Sequence, residues 1–170
     1  MSQLVALAVS IGLLGGVATI LYLKVGLLIW AGFLAWACFF HSGGNNAALQ
    51  STIICNAFGA FCAWVAAMIL VNVPIAPIGG LPVGPGIVVG VTVFVLVLAS
   101  QVKAFSTIPA SVYGYAATFA FLLTNSDTNM TKEMLTSMGM GNALIIVVVS
   151  MVLGALFGLA SGKMAGALKK

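Results

Sequence analysis

The sequence predicts an all-α polytopic membrane protein of about six transmembrane helices, a single transmembrane domain over residues 1–170. Three observations carry that expectation: charge is scarce, apolar runs approach the length of a bilayer crossing, and polar or Gly/Pro segments separate them. Only 5% of the residues are charged and 62% are hydrophobic. A soluble surface carries about 25% charged residues, so this chain cannot wet a globule and its outer surface must face lipid. Its acids are Asp127 and Glu133, its cations are six lysines, and arginine is absent.

A crossing needs about 20 apolar residues for a hydrocarbon core roughly 30 Å thick. Leu4–Leu23 is the first candidate, followed by Lys24. It lacks a basic leader, and its run exceeds the apolar segment of about 7–15 residues in a signal peptide, so it reads as a retained span. Val25–Phe40 follows and ends at the polar stretch HSGGNNAALQ. Ser51–Val71 precedes VNVPIAPIGGLPVGP, whose prolines and glycines mark a connection. Ile87–Ser100 leads to Gln101 and Lys103, Phe105–Leu123 leads to NSDTNMTKEMLTSMGMGN, and Ala143–Ser161 ends at GKMAGALKK. Val25–Phe40 and Ile87–Ser100 are short; they borrow flanking residues or stop inside the membrane.

Lysines in short loops set orientation. Six spans place Lys103, Lys163, Lys169 and Lys170 on one side and Lys24 and Lys132 on the other, which favours cytoplasmic termini. The net charge of +4 is no nucleic-acid signal, because these lysines are scattered at helix ends rather than gathered with aromatics on one surface. Cys38, Cys55 and Cys62 lie within apolar runs, without metal-ligand spacing, and pack as small apolar residues. No metal or cofactor is expected.

The two halves resemble each other. A shift of 79 residues places Lys24 on Lys103, Ile29 on Ile108, Ala31 on Ala110, Gly32 on Ser111, Ala35 on Gly114, Trp36 on Tyr115 and Phe40 on Phe119. Residues 1–78 and 79–170 then form two three-helix repeats. An odd number of spans per half inserts the second half upside down, an arrangement that puts solute sites where the halves meet.

Several residues are candidates for such a site. The stretch His41-Ser42-Gly43-Gly44-Asn45-Asn46 reads either as a re-entrant break, with a helix N-terminus aimed at a solute, or as an interfacial loop in which Ser or Asn caps the next helix. Its counterpart from Asn125 to Leu135 holds both acids. There Asn129 or Thr131 caps a short surface helix that buries Met130, Met134, Leu135 and Met138, or the segment forms a pore vestibule. Asn56 sits within the third apolar run, where an amide is costly unless bonded; helix glue and pore lining both fit it. Thr107, Ser111, Tyr115 and Thr118 share one helix face, and Pro109 is placed to open the backbone beside them. The matching face of the second span carries Gly32, Trp36 and Phe39. A hydroxyl face opposing an aromatic face suits a small neutral solute, whereas the alternative is close helix packing. Lys24 and Lys103 snorkel to the headgroups or draw small anions to the pore mouths.

The segments VGLLIWAGFLAWACFF (25–40) and QVKAFSTIPASVYGYAATFAF (101–121) resemble the YcdZ-like inner-membrane proteins of bacteria, a group classed as a domain of unknown function. Leu28, Trp30-Ala31-Gly32-Phe33-Leu34, Gln101, Lys103, Pro109, Gly114 and Ala117-Thr118-Phe119 carry the likeness, and HSGGNN departs from it. The resemblance implies a bacterial cytoplasmic membrane protein and no activity. From the residues themselves, the expectation is a channel or facilitator for a small polar solute, neutral or a monovalent anion, working as a homo-oligomer in the lipid bilayer. A scaffold subunit, supported by Gly12–Gly15–Gly16 and Gly154–Gly158, and a coupled secondary transporter are the alternatives. An enzyme is not expected, because His41 is the sole histidine and its neighbour Ser42 is no evident catalytic partner.

Overall fold

The computed structural model describes residues 1–74, 77 and 79–169. Lys170, one of the orientation lysines, and part of the 72–86 connection lie outside the described residues. The helices in chain order are α1 (Gln3–Val25), α2 (Ile29–His41), α3 (Asn46–Asn72), α4 (Val83–Leu98), α5 (Ile108–Thr124), α6 (Ser126–Asn129), α7 (Lys132–Thr136) and α8 (Ala143–Leu168). Short 3-10 turns carry α4 on to Gln101 and bridge to α5. Four helices are long and apolar enough to cross a membrane, and α2 and α5 are shorter apolar helices. The fold is therefore all-helical and fits a membrane protein.

The outward faces agree. Leu4, Leu13, Ile20 and Leu23 on α1, and Val91 and Phe94 on α4, are all exposed. Water would penalise each of them, whereas lipid accepts them. The interior is instead made of small residues: Ala31, Ala35, Ala60, Ala117 and Ala155 are fully buried around Val147 and Met151.

Helix ends follow local chemistry. Gly26 stops α1 in the left-handed conformation (φ 73°) and donates its N–H to the Tyr22 carbonyl, which a side chain would resist. Asn45 caps α3 by accepting from Ala48 N at 2.9 Å, so the polar residues Asn46 to Gln50 join the helix rather than a loop. Expected to begin at Ser51, α3 begins five residues earlier for that reason. Asn142 caps α8 by accepting from Leu144 N at 2.8 Å, and α8 runs through Gly162 and Lys163 to Leu168. Pro109, expected to open the backbone, lies in the first turn of α5. Its missing N–H has no intrahelical partner there in any case.

Directions can be read from the contacts. Leu28 N bonds Ser150 Oγ at 3.0 Å and Trp36 Nε1 bonds Ser161 Oγ at 3.0 Å, so α2 and α8 run parallel. Ser51 bonds Thr107 at one end of the α3/α5 pair, and Ala67 packs with Leu122 at the other; these helices are parallel too. Tyr22 Oη donates to Ser150 O at 2.6 Å, while Lys169 Nζ donates to Gln3 Oε1 at 3.2 Å. Thus α1 runs against α8, and Gln3 and Lys169 share one end of the bundle. Similarly α4 runs against α5, with Thr92 bonded to Tyr115 and Val89 packed with Phe119.

Two crossings are closest. A methyl group on Gly59 would strike the Ser111 carbonyl, and one on Gly114 would strike the Asn56 carbonyl. Across the bundle, a methyl on Gly154 would strike the Gly32 carbonyl. By contrast, Gly12 on the outer face of α1 has nothing within 4 Å. We expect Gly114→Val and Gly154→Val each to cost at least the roughly 1–3 kcal/mol of an overpacked core, and Gly12→Val to leave the monomer unaffected. Unfolding of the purified protein in detergent checks this, and equal effects at all three positions would contradict it.

Candidate functional site

Polar side chains in a bilayer-sized bundle are the natural place to seek chemistry, since each must find a partner or carry a cost of several kcal/mol. Most find one inside their own helix. Ser10 donates to Ala6 O, Thr92 to Val88 O, Thr118 to Gly114 O and Ser161 to Gly158 O, each between 2.7 and 3.0 Å. Small hydroxyls can always reach back one turn in this way.

Asn56 and Ser111 do not. Asn56 is 2% exposed and Ser111 is 1% exposed. Neither the Asn56 amide nor the Ser111 hydroxyl has a hydrogen-bond partner among the described residues, and the fully buried Thr52 hydroxyl one turn before Asn56 has none either. Both residues sit where α3 and α5 touch through Gly59 and Gly114. The side chain of Asn56 makes no bond to another helix, so the glue reading of this residue has no bond to rest on.

Next to them the junction of α2, α3 and α5 is mildly polar. Cys38, Cys55 and Ala110 form one buried cluster with Tyr113 at its edge. The Cys38 thiol lies against the hydroxyls of Thr52 and Ser42, and Cys55 Sγ approaches Ala104 O at 3.6 Å. One turn further along α3, Ser51 bonds Thr107. Ser51 also lines an open groove with Gln50, Lys103 and Ser106 at the end of the bundle. Polar groups therefore step inward from Lys103 through Ser51 and Thr107 to Cys55, and then to Asn56. Beyond Asn56 the interior is closed. Ala67, Leu122, Leu135 and Ala143 form an apolar cluster, held by Trp64 Nε1 and Asn142 Nδ2, which both donate to Leu135 O at 2.9 Å.

The other candidates from sequence fall into three groups. His41, Asn45 and Asn46 are exposed at a bundle end; Asn45 acts as the α3 cap, and His41 Nδ1 faces Tyr113 Oη at 3.4 Å. Tyr115 bonds Thr92 at 2.8 Å within the α3–α4–α5 group, and Thr118 is bonded within its own helix. Trp36 turns towards α8 and stacks between Phe33 and Phe157 at 5.7 and 5.8 Å. The aromatic face of α2 packs on α8 and the hydroxyl face of α5 packs on α3 and α4, so the two faces do not oppose one another. Lys24 and Lys103 are exposed at helix ends.

In the 125–142 segment, Thr131 caps α7 through Met134 N at 3.2 Å, and Leu135 is fully buried. Met138, expected to be buried with it, is 97% exposed. The helix ends at Thr136, and extended backbone at Ser137 (ψ 159°) turns the next side chain outward. Sequence reasoning passed over Ser51, Thr52, Cys38 and Cys55 as site neighbours. The i, i+4 spacing of Thr52 and Asn56 was the available signal.

The chain matches the family described as "Protein of unknown function (DUF1097)" over residues 8–166. It belongs to that family. No curated protein and no solved structure matches it at a significant level.

The bonding pattern fixes two stability effects. Ser161→Ala strands the buried Trp36 indole N–H and is expected to cost about 1–3 kcal/mol. Tyr115→Phe leaves Thr92 bonded to Val88 O and is expected to cost about 0.6 kcal/mol, the average for cross-helix bonds in membrane proteins. Denaturation of the two variants in the same detergent compares them; a larger loss in Tyr115→Phe would refute the assignment.

Proposed function

We propose that this chain is a six-span membrane protein of two inverted three-helix halves, and that it lets a small polar solute, a neutral molecule or a monovalent anion, cross where the halves meet. One observation carries the reading: the buried Asn56 amide and Ser111 hydroxyl lack protein partners, and they lie at a contact between α3 of the first half and α5 of the second. A side chain with only a packing role would be bonded or apolar there, because an orphaned amide costs roughly 1–3 kcal/mol.

The inverted arrangement is supported by how the contacts exchange. Swapping α1, α2 and α3 for α4, α5 and α8 turns the α2/α8 pairing into the α5/α3 pairing, and these are the two most extensive in the bundle. It turns α2/α3 into α5/α8 with matched extents, and α1/α8 into α4/α3, where the first is the more extensive. The 79-residue shift maps Gly32 to Ser111, and these two carbonyls are the ones met by Gly154 and Gly59. Gln3 and Lys169 meet at one end of the bundle, which supports an even number of crossings with both termini on one side. Lysine counts put that side in the bacterial cytoplasm.

Homo-oligomerisation fits the open small-residue face of α1, where Gly12 and Gly16 meet nothing within 4 Å; Gly154 and Gly158 are used inside the bundle against α2. The same open face supports the second reading, a scaffold subunit.

Liposomes containing the protein, shocked with urea, glycerol, formate or acetate and followed by stopped-flow light scattering, test the proposal. Faster relaxation than empty liposomes for at least one solute is expected. Control rates throughout, from folded protein, would transfer the weight to the scaffold. Topology has its own test: Lys24→Cys and Lys103→Cys should react with an impermeant maleimide from opposite faces. Labelling from one face would sink the inverted repeat.

A further inference from the structure

Resting on the facilitator reading, we infer that the α3/α5 crossing selects a small uncharged solute that both donates and accepts hydrogen bonds, of the amide or urea class, and refuses ions. The unpartnered groups define this chemistry. Asn56 offers Nδ2 as a donor and Oδ1 as an acceptor, and both are buried and unbonded. Ser111 Oγ is buried and unbonded as well, and a hydroxyl serves in either sense. A carboxamide-like solute complements such a set with its own N–H and C=O, leaving neither side with an orphan group.

Charge decides against ions. Every described lysine and both acids are exposed, so no side chain of either sign is buried near Asn56. Lys103, which lines the outer groove, stands at the mouth rather than at the site. The side chains at the adjoining α2–α3–α5 junction are Cys38, Thr52 and Cys55, all without formal charge. Moving an isolated ion into such surroundings costs tens of kcal/mol by Born solvation, and two or three neutral dipoles offset only a small part of that. An uncharged solute leaves water at a far smaller cost, which the Asn56 and Ser111 bonds can offset. Size is limited too: the Gly59 and Gly114 contacts bring the α3 and α5 backbones together, so only the smallest solutes could be accommodated as the helices part.

The test uses the full chain in liposomes. Urea and formamide permeation is followed by stopped-flow light scattering, and chloride and formate flux by potassium salts with valinomycin. Each is measured for the unaltered protein, Asn56→Leu and Ser111→Ala, and thermal unfolding is recorded for all three. Faster urea or formamide entry is expected, with anion flux at the empty-liposome rate. Asn56→Leu should return entry to that rate without lowering the unfolding temperature, since it removes an orphan amide at similar volume. If Asn56→Leu does not fold, Ser111→Ala must still reduce urea or formamide entry. Anion flux carried as fast as urea would overturn the solute class while leaving the facilitator standing. Urea entry unchanged in folded Asn56→Leu and in Ser111→Ala would overturn the site. Control rates for every solute would remove the facilitator reading itself.

Discussion

Backbone-to-backbone contact at Gly59, Gly114 and Gly154 is the constraint on which the rest of the arrangement depends. In lipid there is no hydrophobic force pulling one apolar helix onto another, so association rests on dispersion at close range and on polar contacts. Close range requires that nothing project at the crossing. Once α3 lies on α5 and α8 lies on α2, the neighbouring positions follow from helical spacing. Asn56, one turn before Gly59, is carried into the crossing. Ser150 and Ser161, either side of Gly154 and Gly158, reach Leu28 N and Trp36 Nε1. A helix held by backbone contact can also be short: α2 has 13 residues, about 20 Å at 1.5 Å per residue, and is buried against α8 along its length instead of being anchored by its ends.

That geometry makes the distribution of polar groups informative. Hydroxyls are nearly costless in a transmembrane helix, because they bond the carbonyl one turn back, as Thr92 and Thr118 do. An amide is bulkier and carries two kinds of group to satisfy, and Asn56 satisfies neither of them within the protein. Ser111 has the Thr107 carbonyl one turn behind it and does not use it. Asn56, Ser111 and Thr52, one turn before Asn56 on α3, forgo the cheap solution, whereas Ser150, Trp36, Trp64 and Asn142 are all bonded.

Much of this was legible in the sequence. Six apolar runs gave six apolar helices, α2 and α5 begin 79 residues apart at Ile29 and Ile108, and Asn45 was visible as a cap. What composition could not reveal was which face of each helix turns inward. The stripe Thr107, Ser111, Tyr115 and Thr118 is real as a helical face, yet the face is wide enough to meet both α3 and α4, so its members divide between Ser51, no partner, Thr92 and their own helix. Trp36 looked like a pore residue because it shares a face with Gly32 and Phe39 that matches the α5 hydroxyls; its partner Ser161 lies 125 residues away, beyond the reach of any local pattern. Met138 failed for a simpler reason, since helical spacing was extended past a helix that ends at Thr136.

On the proposed two-fold, the scaffold repeats but the chemistry does not. The groove beside Phe40 at one end of the bundle is lined by Gln3, Gly162, Gly166 and Lys169; its counterpart beside Phe119 at the other end is lined by Leu70, Val71, Leu81 and Pro85. Likewise the glycine that follows Asn56 on α3 corresponds to Gly154 on α8, and the residue three before Gly154 is Met151, apolar and fully buried. The close approaches fix the crossings and therefore the packing, so positions 59 and 154 must both stay small. Polar residues are under no such obligation. One half can keep an amide and the other a thioether without disturbing the fold, and a site formed on only one side of a symmetric contact approaches the bundle ends unequally. Polar residues lie between Asn56 and the Lys103 end, and the apolar Leu122 and Leu135 lie towards the other. At that far end, α7 is short and pinned through Leu135 O to Trp64 and Asn142, so the apolar cluster is held in place by polar bonds at its rim.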